Sequence, residues 1–480
     1  MPQKHQIYSS PLINNKQAKS LKVHFIGIGG IGVSALARWF LTHGYKISGS
    51  DTSNSEITKE LRQQGIKVFI GHKASNIPNS GNKPILIIKS AAIPKDNPEL
   101  IRAEKLNIPI KTYAQALGDL TKKYKTIAVS GAHGKSTTTA LSALVFTKTK
   151  FNPDVIIGTK LKEFGNKNYK KGNGEYLLIE ADEYQSSFLR YSPVAAIITN
   201  IDREHLDFYK NLGNIKKAFL EFISNIQVNG ILIVNRDNKN LFSLKSKIEI
   251  IAKKNHLRIR WYSLNENKKL NKKLSSVLKI PGQHNISNSL AVYWLAKTMK
   301  LPETSILRAI GNYHGAWRRM DYRGKFKASK GFKGSMPVYD DYAHHPSEIK
   351  ATLAAFREKY PKSRLICVFQ PHQEQRLKYL FKEFAASFDL ADNLILLDVF
   401  KVKGREKKTN DGNLSKKLAE AIQKRINWKL ETGNWKLETV IYLPQPEKLR
   451  RILKETVSDN SVIIMMGAGN IYNMIKKIII

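Results

Sequence analysis

The run Ser130-Gly131-Ala132-His133-Gly134-Lys135-Ser136-Thr137-Thr138-Thr139 brings together the residue types that handle a polyphosphate. It follows the apolar segment Thr126-Ile127-Ala128-Val129 and precedes a helix-like stretch from Ala140 to Val145. Glycines let backbone N–H groups approach phosphate, a helix N-terminus favours its charge, and a lysine neutralises it. The Ser136 hydroxyl is placed to ligate a magnesium ion. Only Ala132 and His133 separate Gly131 from Gly134, a shorter interval than the usual G-x-x-x-x-G-K-[ST] pattern allows.

Other chemistry-bearing residues follow apolar runs that read as strands. Glu180-Ala181-Asp182-Glu183 ends one such run, where acids beside a phosphate loop hold magnesium or form a solvated acidic loop. Thr199-Asn200-Ile201-Asp202-Arg203-Glu204-His205 ends the next, and His205 is either structural or a metal ligand through neutral imidazole. Asn285 and Asn288 fall at i and i+3 around a helix start, where asparagine caps the helix or reads a purine edge. Arg318-Arg319 is a basic turn or a phosphate clamp. Asp340-Asp341-Tyr342-Ala343-His344-His345-Pro346 carries more polar and aromatic groups than capping a helix requires. Near the start, Gly27-Ile28-Gly29-Gly30-Ile31-Gly32 fits a dinucleotide-type turn, with Asp51 at the ribose-binding position after a second strand.

The elements that must position these groups alternate along the chain. Strands are expected at Lys22 to Ile26, Lys46 to Ser50, Val68 to Ile70 and Ile85 to Ile88, with a helix from Ser34 to His43. A second block has strands at Tyr176 to Glu180, Ala195 to Thr199 and Gly230 to Val234. A third has strands at Val338 to Asp341, Arg364 to Phe369, Asn393 to Asp398 and Ser461 to Met466. Helices are expected there from Pro346 to Lys359 and from Lys378 to Leu390. The alternation predicts three consecutive α/β domains, each with a largely parallel sheet: Rossmann-like over 1–121, a P-loop ATPase over 122–323, and Rossmann-like again over 324–480. Asn427 to Gly433 is repeated almost unchanged as Asn434 to Val440, too few copies for a repeat architecture and expected in a surface loop or hairpin.

Hydrophobic content of 42% over 480 residues suits a soluble globular protein. A net charge of +41 would draw in anionic ligands, but the lysines are scattered and no nucleic-acid-binding motif concentrates them. No nucleic-acid partner is therefore expected. Cys367 is the only cysteine, which excludes a disulfide within the chain. Without an apolar leader or an apolar run of membrane-spanning length, no membrane insertion and a cytoplasmic location are expected.

Taken in order, these segments resemble the Mur ligase family, from about Lys22 to Gly469. The resemblance is carried by His24 to Gly32, the short phosphate loop, Glu180 to Glu183, Thr199-Asn200-Ile201 with His205-Leu206-Asp207, and His284-Asn285 with Asn288. Arg318-Arg319, Asp340-Asp341-Tyr342 with His344-His345-Pro346, and Phe369-Gln370-Pro371-His372 complete it. It implies an ATP- and Mg2+-dependent ligase, monomeric or homodimeric, joining L-alanine to UDP-N-acetylmuramate through an acyl phosphate. By that likeness Gly27, Gly29, Gly30, Gly32, Asp51 and Ser90 contact the UDP substrate. Gly131, Ala132, His133, Gly134, Lys135, Ser136, Thr137, Asn285, Asn288, Arg319 and Asp341 bind ATP. Ser136, Glu180 and His205 hold magnesium, and His344, His345, His372 and Arg376 line the amino-acid side. Lys135, Glu180, His205, Arg319, His344 and His345 carry the chemistry.

The chain departs from the family pattern at Ala132 and Ser136, where threonine is usual, and at Gln373, where arginine is common. Ala218-Phe219-Leu220 stands where several members carry a modified lysine, so none is assigned. Three alternatives remain at this stage. They are a ligase recycling a preformed tripeptide, a nucleotide-regulated nucleic-acid-binding protein, and an NAD-dependent oxidoreductase built on the first glycine turn.

Overall fold

Strands and helices assemble into three sheets in the computed structural model, which describes residues 21–479 apart from 80, 82, 329–334, 402–412 and 431–435. The first sheet contains β1 (Lys22–Ile26), β2 (Lys46–Asp51), β3 (Lys67–Ile70), β4 (Leu86–Lys89) and β5 (Ile110–Thr112). Their order is β3-β2-β1-β4-β5 with every neighbour parallel. The order reverses at β1, so the glycine turn after β1 opens onto the crevice where doubly wound sheets bind ligands. Gly27 has φ of +79°, a left-handed conformation that side chains disfavour. The N–H groups of Gly27 and Ile28 both donate to the Ser50 carbonyl, which ties the turn to the end of β2.

The second sheet contains β6 (Lys125–Ser130), β7 (Asp154–Leu161), β8 (Lys167–Lys170), β9 (Tyr176–Glu180), β10 (Ala195–Ile198), β11 (Ile231–Asn235) and β12 (Arg258–Tyr262). Its order is β12-β11-β10-β6-β9-β7-β8. β6 lies between β9 and β10, parallel to both, so the carboxyl ends of three adjacent strands deliver the phosphate loop, Glu180 and Asn200 to one edge. Ile127, Val129, Leu178, Ile197 and Ile233 bury one face against the helices Lys135–Thr147 and Gln283–Thr298.

The third sheet contains β13 (Asp321–Phe326), β14 (Met336–Asp341), β15 (Arg364–Phe369), β16 (Asn393–Leu397), β17 (Thr439–Leu443) and β18 (Ser461–Met466), in the order β13-β14-β18-β15-β16-β17. Only β13 runs antiparallel to its neighbour among the pairs of this sheet. Its two faces fill two separate cores. Leu365, Cys367, Phe369, Leu394 and Ile464 enter one, and Ile366, Val368, Ile395, Ile463 and Met465 enter the other. A sheet buried on both faces explains why these strands read as continuous apolar runs, without alternation.

Three α/β domains thus sit in two compact units. The described residues up to Asp119, with Asn168–Lys171, form one unit, and the remaining described chain, with every strand of the second sheet except β8 and all of the third sheet, forms the other. Two local expectations are corrected. The helix foreseen from Lys378 to Leu390 is two short helices, Glu374–Tyr379 and Phe381–Ala385, broken at Leu380, where φ is −117° and ψ is 24°. The duplicated stretch is not one surface loop: its first copy starts in the helix Leu414–Leu430, and the second copy buries Leu437 and enters β17. Residues 431–435 between them lie outside the described residues. No described helix is long and apolar enough to cross a membrane.

Candidate functional site

The phosphate loop leaves β6 through Gly131, at φ +140°, and enters the helix Lys135–Thr147 through Gly134, at φ +80°. No side chain caps that helix, so its first amides are left for an anion. Asn200 fixes the loop from below: its amide oxygen accepts the His133 N–H (2.8 Å) and its amide nitrogen donates to the His133 carbonyl (2.9 Å). Lys135 Nζ donates to the carbonyls of Gly131 (2.7 Å) and Ala132 (3.2 Å) and pairs with Glu183 (2.8 Å). Burial alone would lower the lysine's pKa, but Glu183 and Asp182 push it above its usual value. Ser136 Oγ donates to Glu180 Oε1 (3.0 Å), whose other oxygen accepts the Gly158 N–H (3.0 Å).

The three foreseen metal ligands fall into two groups. Ser136 meets Glu180, whereas His205 Nε2 lies 3.5 Å from Glu183. Asp182, Glu183 and His205 present ligand atoms within 4.8 Å of one another. Glu183 Oε1 is buried and faces His205 Nε2, so the acid and the ring present their ligand atoms to one point, as a cation site would. Among the described residues no hydrogen bond or ion pair joins His205 to Glu180. Glu183 therefore belongs to the site. It stands three residues after Glu180 in a motif already noted, and its pairing with Lys135 was not visible in one dimension.

Facing the loop is a cavity of ≈ 340 Å³, lined by His133, Gly134, Thr137, Asn285, Asn288, Arg319 and Asp341 from the foreseen set. Asn200, His284 and Glu348 also line it. Asn285 Nδ2 donates to the Pro281 carbonyl (2.6 Å), and Asn288 lies so close under Gly134 that a Cβ there would stand 2.7 Å from its oxygen. The Asp341 carboxylate accepts the N–H groups of Met320 (2.8 Å) and Ala343 (2.9 Å), which fixes the turn carrying Arg319. Burial, and then the charge of Arg319, lower His284 to about 4.

Glu348, in the first turn of the helix Pro346–Lys359, gathers the groups around this cavity. It accepts the His344 N–H (3.0 Å) and lies 3.0 Å from His344 Nδ1, 3.4 Å from His133 Nδ1 and 3.6 Å from Arg319. Burial would raise its pKa, but His344 and His133 hold it well below the usual carboxylate value. His133 moves the opposite way: against burial, Asp202 (3.0 Å) and Glu348 raise it to about 10, so the ring is an imidazolium. His345, 4.7 Å away between ring centres, is lowered to about 4 by burial and by the His133 charge. Its Nδ1 accepts the Ser347 N–H (3.2 Å), so the ring proton sits on Nε2. A neutral ring also means that its 3.7 Å approach to Asp202 is not an ion pair.

The foreseen amino-acid side gathers around Glu204. His344, His372 and Arg376 come together: Arg376 Nη1 lies 3.3 Å from His372 Nδ1, and the rings of His344 and His372 are 5.9 Å apart. Arg376 Nη2 donates to Glu204 (2.9 Å), a buried carboxylate held well below its usual pKa by Arg376 and the nearby histidines despite burial. His345 faces His133 and also brings a ring nitrogen within 4.8 Å of Glu204, so it borders this group. Glu204 went unnoticed because it immediately precedes the more conspicuous His205. In the first unit, Asp51 Oδ2 accepts the Gly29 N–H (2.9 Å) and Oδ1 accepts from Ser53, so Asp51 braces the glycine turn. A Cβ at Gly27 would stand 3.0 Å from Ser90 Cβ, which places Ser90 against the same turn.

Known proteins share this organisation. Family models described as the Mur ligase family catalytic domain, the Mur ligase middle domain and the Mur ligase glutamate ligase domain match residues 22–125, 129–296 and 318–469, and the chain belongs to the Mur ligase family. The UDP-N-acetylmuramate–L-alanine ligase of Acetivibrio thermocellus is 39% identical over 469 residues, 94% of each chain. That of a Clostridium botulinum strain is 38% identical over 480 residues, covering 95% of this chain and 97% of the relative. The crystal structure of the UDP-N-acetylmuramate-alanine ligase of Thermotoga maritima aligns with a TM-score of 0.74 and 27% identity, over 95% of this chain and 98% of its own.

Two outcomes follow from the geometry. In Gly131→Ala the new Cβ would overlap the Thr199 hydroxyl and stand 3.0 Å from the Asn200 backbone nitrogen, at a φ alanine rarely adopts. A loss of about 1–3 kcal/mol in unfolding free energy is expected, with weakened ATP binding by calorimetry. His133 gains its proton affinity on folding, so its contribution is complete below its reference pKa of 6.5 and fades as the pH rises towards about 10. The wild-type melting temperature should fall across that window, and His133→Gln should flatten the fall. Parallel curves for the two proteins would contradict the assignment.

Proposed function

We propose that this chain is an ATP-dependent ligase that joins L-alanine to the muramoyl carboxylate of UDP-N-acetylmuramate, a step of peptidoglycan synthesis. The observation that carries the reading is the short phosphate loop facing Arg319, in the turn before β13, and Asp341 of the third domain across one cavity. Relatives bearing that activity in their names are 36–39% identical along nearly the whole chain. In this reading 1–121 holds the UDP substrate at the glycine turn, 122–323 holds ATP, and 324–480 presents the amino acid.

A carboxylate is a poor acyl donor, so ATP first converts it to an acyl phosphate. The amine of L-alanine then attacks the acyl carbon, and phosphate leaves. Negative charge gathers in both steps, and the work of the protein is alignment and charge stabilisation. Lys135 and Arg319 neutralise the transferred phosphoryl group from the two sides of the cavity. Asn285 and Asn288 contact adenine, and Ala132, Thr137 and the loop amides contact the phosphates. His344, His372 and Arg376 grip the amino acid, with His345 nearby as a neutral Nε2–H donor. The oxygen-rich groups Ser136–Glu180 and Asp182–Glu183–His205 fit Mg2+, a hard cation that would hold and polarise phosphate oxygens.

Phosphate release from ATP should require both UDP-N-acetylmuramate and L-alanine. No release with L-alanine, glycine or L-serine would refute the ligase, and release only with a tripeptide would move the chain to the recycling reaction. Lys135→Ala should lower turnover at least about 10³-fold. It also leaves buried Glu183 with only the longer approach of His205 as a charged partner, so a loss of about 3 kcal/mol in stability is expected in urea melts. Near-normal turnover would refute the role of the loop.

A further inference from the structure

Arg318 and Arg319 are adjacent in the chain, yet their side chains serve different places. Arg319 lines the cavity, whereas Arg318 is 3% exposed and is not among the residues that line it. Arg318 Nε lies 3.3 Å and 3.2 Å from the two Asp340 oxygens, Nη1 donates to the Gly469 carbonyl (3.3 Å), and Nη2 donates to the Gly467 carbonyl. The ring centres of Tyr472 and Tyr342 stand 4.7 Å and 5.0 Å from its guanidinium carbon. These partners come from β14, the turns that follow β14 and β18, and the helix Tyr472–Ile478. Arg318 thus fastens the turn before β13 to the third sheet.

That turn is strained. Arg318 and Met320, on either side of Arg319, have φ of +59° and +47°, left-handed conformations that persist in such residues only where the surroundings hold them. The second domain holds one end: the Trp317 N–H donates to the Lys160 carbonyl (3.0 Å), and Thr159 Oγ1 donates to the Trp317 carbonyl (3.0 Å). On the other side the Tyr342 N–H donates to the Arg318 carbonyl (2.7 Å), and the Tyr342 ring centre is also 5.3 Å from the Arg319 guanidinium carbon. On β13, Asp321 stands opposite Asp340 and pairs with Arg323 (3.2 Å) and Lys162 (3.7 Å). Asp341 follows Asp340 on β14, and β18 sets the uncharged Met465 beside it. Burial raises Asp340 to about 6 against the pull of Arg318, so the acid is ionised at neutral pH and loses its charge as the pH falls through that value.

We propose that Arg318 is a positioning residue: held by Asp340 and by the Gly467 and Gly469 carbonyls, it keeps the strained turn in the conformation that presents Arg319 to the phosphates of ATP. The proposal rests on the seating of ATP in the cavity. Arg318 itself touches no ligand, and its effect on ATP passes through Arg319.

The test is a double-mutant cycle read by titration calorimetry of the full chain with ATP. Arg319→Met should weaken ATP binding at least about tenfold, the effect of one lost charge-assisted contact. Arg318→Met, which removes no group from the cavity, should weaken it about tenfold as well. Introduced into Arg319→Met, the same change should cost less than about twofold more, because the arginine it positions is already gone. Additive losses would overturn the proposal, and so would wild-type affinity in Arg318→Met. Asp340→Asn, close in shape to the native residue, gives a second arm that decides alone if Arg318→Met does not fold. It should bind ATP more weakly than the wild type at about pH 7.5 and equally well at about pH 5, where Asp340 of the folded wild type carries its proton. Comparing the two proteins at each pH cancels the titration of ATP itself. A gap that stayed constant between those pH values, or no gap at either, would overturn the anchoring by Asp340. A wild type that bound no ATP would overturn the reading of the cavity, and the proposal with it.

Discussion

Burying the Glu348 carboxylate forces the second and third domains to share one electrostatic cluster. A buried carboxylate must be paired or protonated, and the partners of this one come from three places. His133 comes from the phosphate loop, Arg319 from the turn before β13, and His344 from the residues that open the helix carrying Glu348. At an effective dielectric of about 20 a charge pair near 3.5 Å is worth several kcal/mol before desolvation, and desolvation cancels much of that gain. The cluster therefore contributes little net stability. What it supplies is register, because any arrangement that separates His133 from Glu348 leaves an unpaired charge.

The same cluster sorts its histidines. Two imidazole rings with centres 4.7 Å apart do not both carry a charge, and the acids decide between them. His133 lies between Asp202 and Glu348 and takes the proton. His345 is bonded by a backbone N–H and repelled by its neighbour, so it stays neutral. His133 and Arg319 are then cations that line the cavity, with Lys135 beside them in the phosphate loop. A net charge of +41 gives the whole chain a long-range attraction for anionic ligands.

Much of this was legible in the sequence because parallel sheets simplify it. Strands buried on both faces read as apolar runs, and ligands bind at their carboxyl ends, so the residues after Val129, Ile179 and Ile198 announced themselves. Gly131 and Gly134 were legible because their backbone conformations exclude side chains. Glu348 was not, because a glutamate in the first turn of a helix is fully accounted for by the helix dipole. Its role depends on His133, more than two hundred positions earlier in the chain. Glu183 and Glu204 were hidden in the same way, by partners distant in sequence. The break at Leu380 has no glycine or proline to mark it, since Leu380 and its neighbours are ordinary helix formers.

The short interval between Gly131 and Gly134 acquires a physical meaning from these contacts. With two residues there, the loop is tight enough for Lys135 to reach the carbonyls of Gly131 and Ala132 while pairing with Glu183. Glu183 in turn stands beside His205 and Asp182. Under the proposed function a triphosphate and a divalent cation would meet the two halves of one ion pair: the phosphates would compete with Glu183 for the lysine, and the cation with the lysine for Glu183. Each ligand would then weaken the bond that opposes the other.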